Sequence, residues 1–130
     1  MAGGPVYRKE IGWIMATAGS ADVAKQYARV RVETAPVRMA IYLLHEKCVH
    51  RVGQARIYRE KRKELLTKSQ NILAQLQSSL KIEDSVAESL HYLYDYCWTL
   101  LDRGEDADLA KALEILSPLR NTFYVLLKKP

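Results

Sequence analysis

The sequence predicts an all-α protein, and three observations carry that prediction. Apolar residues recur at steps of three and four through most of the chain. Glycine and proline are scarce, at six and four of 130 residues. No stretch alternates apolar and polar positions long enough to build a sheet. Short links between the helices make an antiparallel four-helix bundle the expected topology, with an additional short helical segment at the N-terminus. A single helical-bundle domain over 1–130 accommodates this, with an N-terminal arm and short helices over 1–33 and the main bundle over 34–128.

The arm begins loosely at Met1 to Pro5 and then turns apolar. Ile11, Ile14, Met15 and Ala18 share helical spacing, so a short docked helix is expected there, broken by Gly19-Ser20. A second short turn follows over Ala21 to Val30, with Tyr27 facing the body. Thr34-Ala35-Pro36 opens the first long helix, because a missing N–H costs nothing in the first turn. Its expected inner face is Val37, Ile41, Leu44, Cys48, Val52 and Ala55, and Met39, Tyr42, Leu43 and Val49 widen the apolar surface beyond one stripe.

This helix should run to about Tyr58. Arg59 to Glu64 contains neither Gly nor Pro, yet a turn belongs there. One helix from Pro36 to Leu80 would be far longer than usual and would leave its stripe uncovered. The next helix presents Leu65, Ser69, Ile72, Leu73, Leu76 and Leu80, with Leu66 beside them. Ser85-Val86-Ala87-Glu88 fits a capping box and opens the third. That helix presents Leu90, Leu93, Tyr94, Cys97, Trp98 and Leu101, with Tyr92 and Tyr96 to the side, and stops at Gly104. Glu105-Asp106 places negative charge at the positive end of the last helix. Leu109, Ala112, Leu113, Leu116, Leu119, Phe123 and Leu126 should line its inner face, and Pro118 should kink or interrupt it.

The formal charge of +5 permits an acidic partner but is unevenly spread. Arg51 to Lys68 holds seven basic residues against Glu60 and Glu64, whereas Glu83 to Glu114 holds nine acidic residues against Arg103 and Lys111. The basic stretch could be a nucleic-acid footprint, but it spans a turn and offers only Tyr58 for stacking, so a solvated helix end is favoured. Cys48 and Cys97 both fall on apolar faces and read as buried thiols in a reducing, cytoplasmic setting. No apolar run approaches a membrane span, and Trp13-Ile14-Met15 is too short for a signal peptide.

Chemistry-bearing patterns are sparse. His45, Cys48 and His50 invite a metal reading, but His50 lies well round the helix from the other two and no further ligand is spaced to join them. Ordinary helix residues, two at the surface and one in the core, account for them. Asp95 between Tyr94 and Tyr96 is flanked by aromatics but lacks a partner for acid–base work. There is no glycine-rich phosphate loop. Neither catalysis, cofactor nor metal is expected. Eight tyrosines and two tryptophans exceed what one narrow seam needs, even with Tyr94, Trp98 and Phe123 assigned to the core. Surplus apolar surface at Tyr42, Leu43, Leu66, Leu73, Tyr92 and Tyr96 would leave grooves for another protein's amphipathic helix, or a surface for homodimerisation.

Three stretches also carry a resemblance. Lys68-Ser69-Gln70-Asn71-Ile72-Leu73-Ala74-Gln75-Leu76-Gln77-Ser78-Ser79-Leu80 looks like a helix of pattern K-A-Q-x-I-I-x-E-L-x-x-S-L. Leu90-His91-Tyr92-Leu93-Tyr94-Asp95-Tyr96 looks like L-x-x-L-Y-D-Y, the most specific match. Thr34-Ala35-Pro36 with Met39, Ala40 and Leu43 is similar to A-S-P-x-x-L-I-x-x-L, and Tyr27 matches a tyrosine upstream of it. Over roughly Gln26 to Tyr124 the chain resembles the flagellin export chaperones, the flagellar secretion chaperone family. The resemblance implies a cytosolic chaperone that binds the disordered C-terminal segment of flagellin, prevents premature polymerisation and delivers it to the export apparatus. It also implies an N-terminal cover over the groove, here Tyr27 with Trp13 and Ile14. A basic helical bundle that binds nucleic acid, or a homodimerising adaptor, is the alternative function.

Overall fold

The computed structural model describes residues 35–79 and 85–128. Helix α1 spans Ala35–Ile57, a 3-10 turn spans Arg59–Lys61, α2 spans Arg62–Ser79, α3 spans Ser85–Arg103 and α4 spans Asp106–Leu127. The described residues contain no strand. Tyr27, Trp13 and Ile14, expected to form the cover, lie outside the described residues, as do the arm and short helices expected over 1–33.

Side-chain contacts fix the directions. Across α1 and α2, Cys48 meets Ser69 and Ala55 meets Arg62. Across α2 and α3, Gln70 meets Asp102 and Gln77 meets Asp95. Across α1 and α4, Tyr42 meets Tyr124 and Glu46 meets Arg120. In each pair one number rises as the other falls, so neighbours run antiparallel. Both α1 and α3 pack against α2 and α4, which puts α1 and α3 on a diagonal of the bundle.

The interior is a continuous apolar cluster to which all four helices contribute, including Ile41, Val52, Leu73, Leu76, Leu93, Leu100, Leu116 and Phe123. Burying side chains of this size contributes about 1.5–3 kcal/mol each. Cys48 and Cys97 are buried and free. Burial pushes the Cys48 thiol up to about 12 and holds the Cys97 thiol higher still, so both are inert.

The break between α1 and α2 needs neither Gly nor Pro because Arg62 performs it. Its guanidinium donates from Nε to the Ala55 carbonyl at 2.9 Å and from Nη2 to the Arg56 carbonyl at 3.5 Å. Those are last-turn acceptors of α1 that a terminating helix leaves unpaired. The same side chain reaches the Gly104 carbonyl at 3.3 Å and Asp106 at 2.7 Å, so one arginine ties together both turns at this end of the bundle.

Gly104 ends α3 with φ at 69° and donates its N–H to Leu100. A Cβ there would sit 3.3 Å from Leu66 Cδ1, on a backbone conformation that L side chains resist. Gly104→Ala is expected to lower stability by about 1 kcal/mol or more, read as a lower urea midpoint. At the start of α4 the Asp108 carboxylate accepts the Glu105 N–H at 3.3 Å and also pairs with Arg103. Helix α3 is described from Ser85 onward.

Four expectations need correcting. Val37, placed on the inner face of α1, is 40% exposed. Trp98, assigned to the core, is 41% exposed. The buried arc of α3 is centred on Leu90, Leu93, Cys97 and Leu100, and Trp98 stands a full 100° beyond Cys97. Of the two outcomes expected at Pro118, interruption is overturned, because α4 continues through it to Leu127. Proline costs about 3 kcal/mol in a helix interior, and burial of Leu116, Leu119, Phe123 and Leu126 on either side offsets that cost. His45, read as a surface residue, is completely buried.

Candidate partner-binding surface

The centre of the bundle is polar at one point. His45 on α1 stacks on Phe123 of α4, with ring centroids 4.5 Å apart, and its Nε2 lies 2.9 Å from the Tyr94 hydroxyl on α3. Its Nδ1 lies 2.9 Å from the Ile41 carbonyl. A carbonyl can only accept, so Nδ1 carries the proton and Nε2 accepts from Tyr94. Burial drives the imidazole down from 6.5 to about 4, against a smaller opposing effect of the Ile41 hydrogen bond. His45 is therefore neutral, and it registers α1, α3 and α4 against one another. Among the described residues no group of three His, Cys, Asp or Glu side chains gathers to hold one.

The seams are closed unequally. Between α2 and α3 two glutamines, one heptad apart, form matching clasps. Gln70 Nε2 donates to the Trp98 carbonyl and Asp102, and Gln77 Nε2 donates to the His91 carbonyl and Asp95. Asp95 is thus an outer clasp residue of the helix pair. Between α1 and α4 the closure is aromatic and ionic. The Tyr42 and Tyr124 rings lie 5.7 Å apart, Arg120 pairs with Glu46 at 3.3 Å, and Lys128 lies 4.5 Å from the centre of the Tyr124 ring.

The expected groove residues separate into three groups. Leu43 is 46% exposed on α1, with Tyr42 half-buried beside it. Tyr92 and Tyr96 are half-buried on α3, on the flank away from the glutamine clasps, and Tyr96 packs against the core. Because α1 and α3 are diagonal, these two pairs do not share a groove. Leu66 and Leu73 sit inside, at 6% and 0% exposure. The inner arc of α2 turns both toward the other helices, Leu73 completely and Leu66 with only an edge left at the end of the bundle near Gly104, so neither adds to the exposed surface around Leu43.

What replaces them is the outer face of α1. Met39, Leu43 and Ile57 are all exposed, Ile57 at 73%, on a helix whose opposite face is already buried. With Glu46, His50 and Gly53 they mark positions spaced by alternating fours and threes, the register that faces a neighbouring helix in a coiled coil. At 1.5 Å per residue the row is about 27 Å long. A Cβ added at Gly53 would meet nothing within 4 Å, so the row is open there to close approach of another backbone. Ile57 was not singled out in the sequence, although its 4-3-4-3-4 spacing from Met39 was available as the signal. An α1 with exposed apolar side chains at both ends of its outer row, Met39 and Leu43 at one and Ile57 at the other, has room there for a further neighbour.

A family model described as flagellar protein FliS matches residues 20–129. The chain belongs to the flagellar FliS family. No curated protein and no solved structure matches it. The FliS family is one of flagellar export chaperones, which is in keeping with a bundle whose surplus apolar surface lies outside its core. No described helix is long and apolar enough to cross a membrane.

Proposed function

We propose that this FliS-family bundle is a cytosolic chaperone that binds the disordered C-terminal segment of flagellin along the outer face of α1, shields it from premature polymerisation and hands it to the export apparatus. The observation that carries the reading is the exposed row Met39, Leu43 and Ile57, on a chain matched to the family over 20–129. Ordering a disordered segment costs about 2–5 kcal/mol or more of the gross interaction, so a long apolar track is required rather than a single pocket. Tyr42 with Tyr124, and Tyr92 with Tyr96, flank α4 and extend the apolar surface for a segment that wraps. Tyr27, Trp13 and Ile14 are the proposed cover of this surface in the absence of client.

The basic stretch does not favour the nucleic-acid alternative. Arg62 is held by Asp106 and by three backbone carbonyls, and Tyr58 is the one ring in the stretch on which a base could stack. The test is capture of flagellin from co-expression. Leu43→Asp combined with Ile57→Asp should reduce capture at least tenfold, because two apolar contacts of about 1 kcal/mol or more each are replaced by desolvated charge. Both side chains are exposed, so the thermal midpoint should stay near wild type. Undiminished capture would remove the α1 face from the site.

A further inference from the structure

At the end of the bundle where α1 turns into α2 and α3 turns into α4 lies a cleft of about 430 Å³. Leu66 and Leu101 form its floor, and Arg59, Lys63 and Arg103 stand at its rim. We propose that this cleft binds an acidic linear peptide of a second protein, its carboxylates held by Arg59, Lys63 and Arg103 and one apolar side chain resting over Leu66 and Leu101.

The argument rests on charge and fixed geometry. Arg62 also lines the cleft, and its guanidinium is immobilised by three backbone carbonyls and Asp106. It is a permanent cation in the wall. Asp106 gives one oxygen to Arg62 and the other to Arg59, each at 2.7 Å, so a single carboxylate serves two guanidinium groups. Asp108 meets Arg103 at 3.3 Å, and Asp102 accepts from Gln70. Four cations thus stand against these three carboxylates, and Lys63 has no acidic partner among the described residues. Arg59 and Arg103 have side chains 70% and 56% exposed, and ion pairs that open to water exchange readily for an incoming carboxylate. The capture of Asp106 by Arg59 and Arg62 shows this corner already holding a carboxylate in the manner proposed.

The same features disfavour nucleic acid. Among the described residues no aromatic ring lines the cleft on which a base could stack, and Asp102 on its wall repels a dense run of phosphates. An apolar floor gives a phosphate nothing, whereas it suits a Leu or Phe beside a Glu. The site is separate from the outer face of α1, so it stands or falls independently of flagellin binding there.

The experiment is an amide chemical-shift titration of the full chain with an amidated octapeptide of alternating Glu and Leu. Shifts should cluster at Lys63, Thr67, Gln70 and Asp102 to Gly104. The Gln-for-Glu analogue should bind at least tenfold more weakly, as should the Lys63→Glu, Arg103→Glu double variant. Because Arg103 pairs with Asp108 near the α4 cap, Lys63→Glu alone is the second variant, with a smaller loss in the same direction. Flagellin capture by both variants should match wild type. Absence of binding, equal shifts with the Gln analogue, shifts centred on Leu43 and Ile57, or tighter binding of a thymidine oligonucleotide at the same residues would each overturn the proposal.

Discussion

Acidification from pH 6.5 to 4 is expected to remove about 3 kcal/mol from the stability of the fold through His45 alone. In the unfolded chain the imidazole takes up its proton near 6.5; in the bundle, burial holds it neutral down to about 4. Above 6.5 both states are neutral and His45 contributes no pH dependence. Between those values the unfolded chain binds the proton and the folded chain does not, so each pH unit lowered favours unfolding. Asp106 adds a loss of the same sign at lower pH, because the hydrogen bond from Arg62, then that from Arg59, holds its carboxyl below the usual range. Urea midpoints at pH 7 and 5 fall in the window where His45 dominates. His45→Gln should be less stable than wild type at pH 7, and its midpoint should change much less between the two conditions. A wild-type midpoint constant across that window would refute the assignment of His45 as a neutral core residue.

His45 also shows where the sequence was and was not legible. The apolar periodicities located four helices, and the inner faces of α2 and α4 emerged with small shifts: Leu66 rather than Leu65 on the inside of α2, Ile115 added to α4. Periodicity could do this because Leu and Ile report burial by their chemistry. Histidine and tryptophan do not. His45 lies only about 40° round the helix from Ile41 and about 60° from Cys48, so its position is consistent with the core. What made it acceptable there is a hydroxyl 49 residues away, on Tyr94, and no local signal announces such a partner. Trp98 failed in the opposite sense, because an apolar type at the edge of the stripe was counted as interior.

The candidate surface was half legible for a related reason. A list of apolar residues in excess of the core includes both true surface and core residues that were placed at the wrong angle. Leu43 belongs to the first kind and Leu66, set beside the stripe of α2, to the second. Angle about the helix axis separates them only when the inner arc is known to within one residue position, about 100°. That arc is set by the neighbours, which the sequence of one helix does not contain.

The turn between α1 and α2 leads to the second large effect. Arg62→Ala is expected to cost about 2–3 kcal/mol, whereas Arg59→Ala should cost about 0–1 kcal/mol, although both arginines meet Asp106 at the same 2.7 Å. The difference lies in exposure and in what else each side chain holds. The Arg59 side chain is 70% exposed, and among the described residues Asp106 is its only hydrogen-bond partner. The Arg62 side chain is 17% exposed and also serves Ala55, Arg56 and Gly104, so its loss strands the last-turn carbonyls of α1 together with the end of α3. Arg62→Lys separates charge from geometry. A lysine restores attraction to Asp106 but cannot address four acceptors from a planar fork, so it should recover less than half of the loss. Added salt should narrow the gap between wild type and Arg59→Ala while leaving most of the Arg62→Ala deficit in place, because hydrogen bonds to carbonyls are not screened as exposed ion pairs are. Equal destabilisation by the two alanine variants would mean that the Asp106 pairs, not the capped carbonyls, make the turn. With neither Gly nor Pro between Ile57 and Arg62, the chain would then lack a reason to stop α1 where it does.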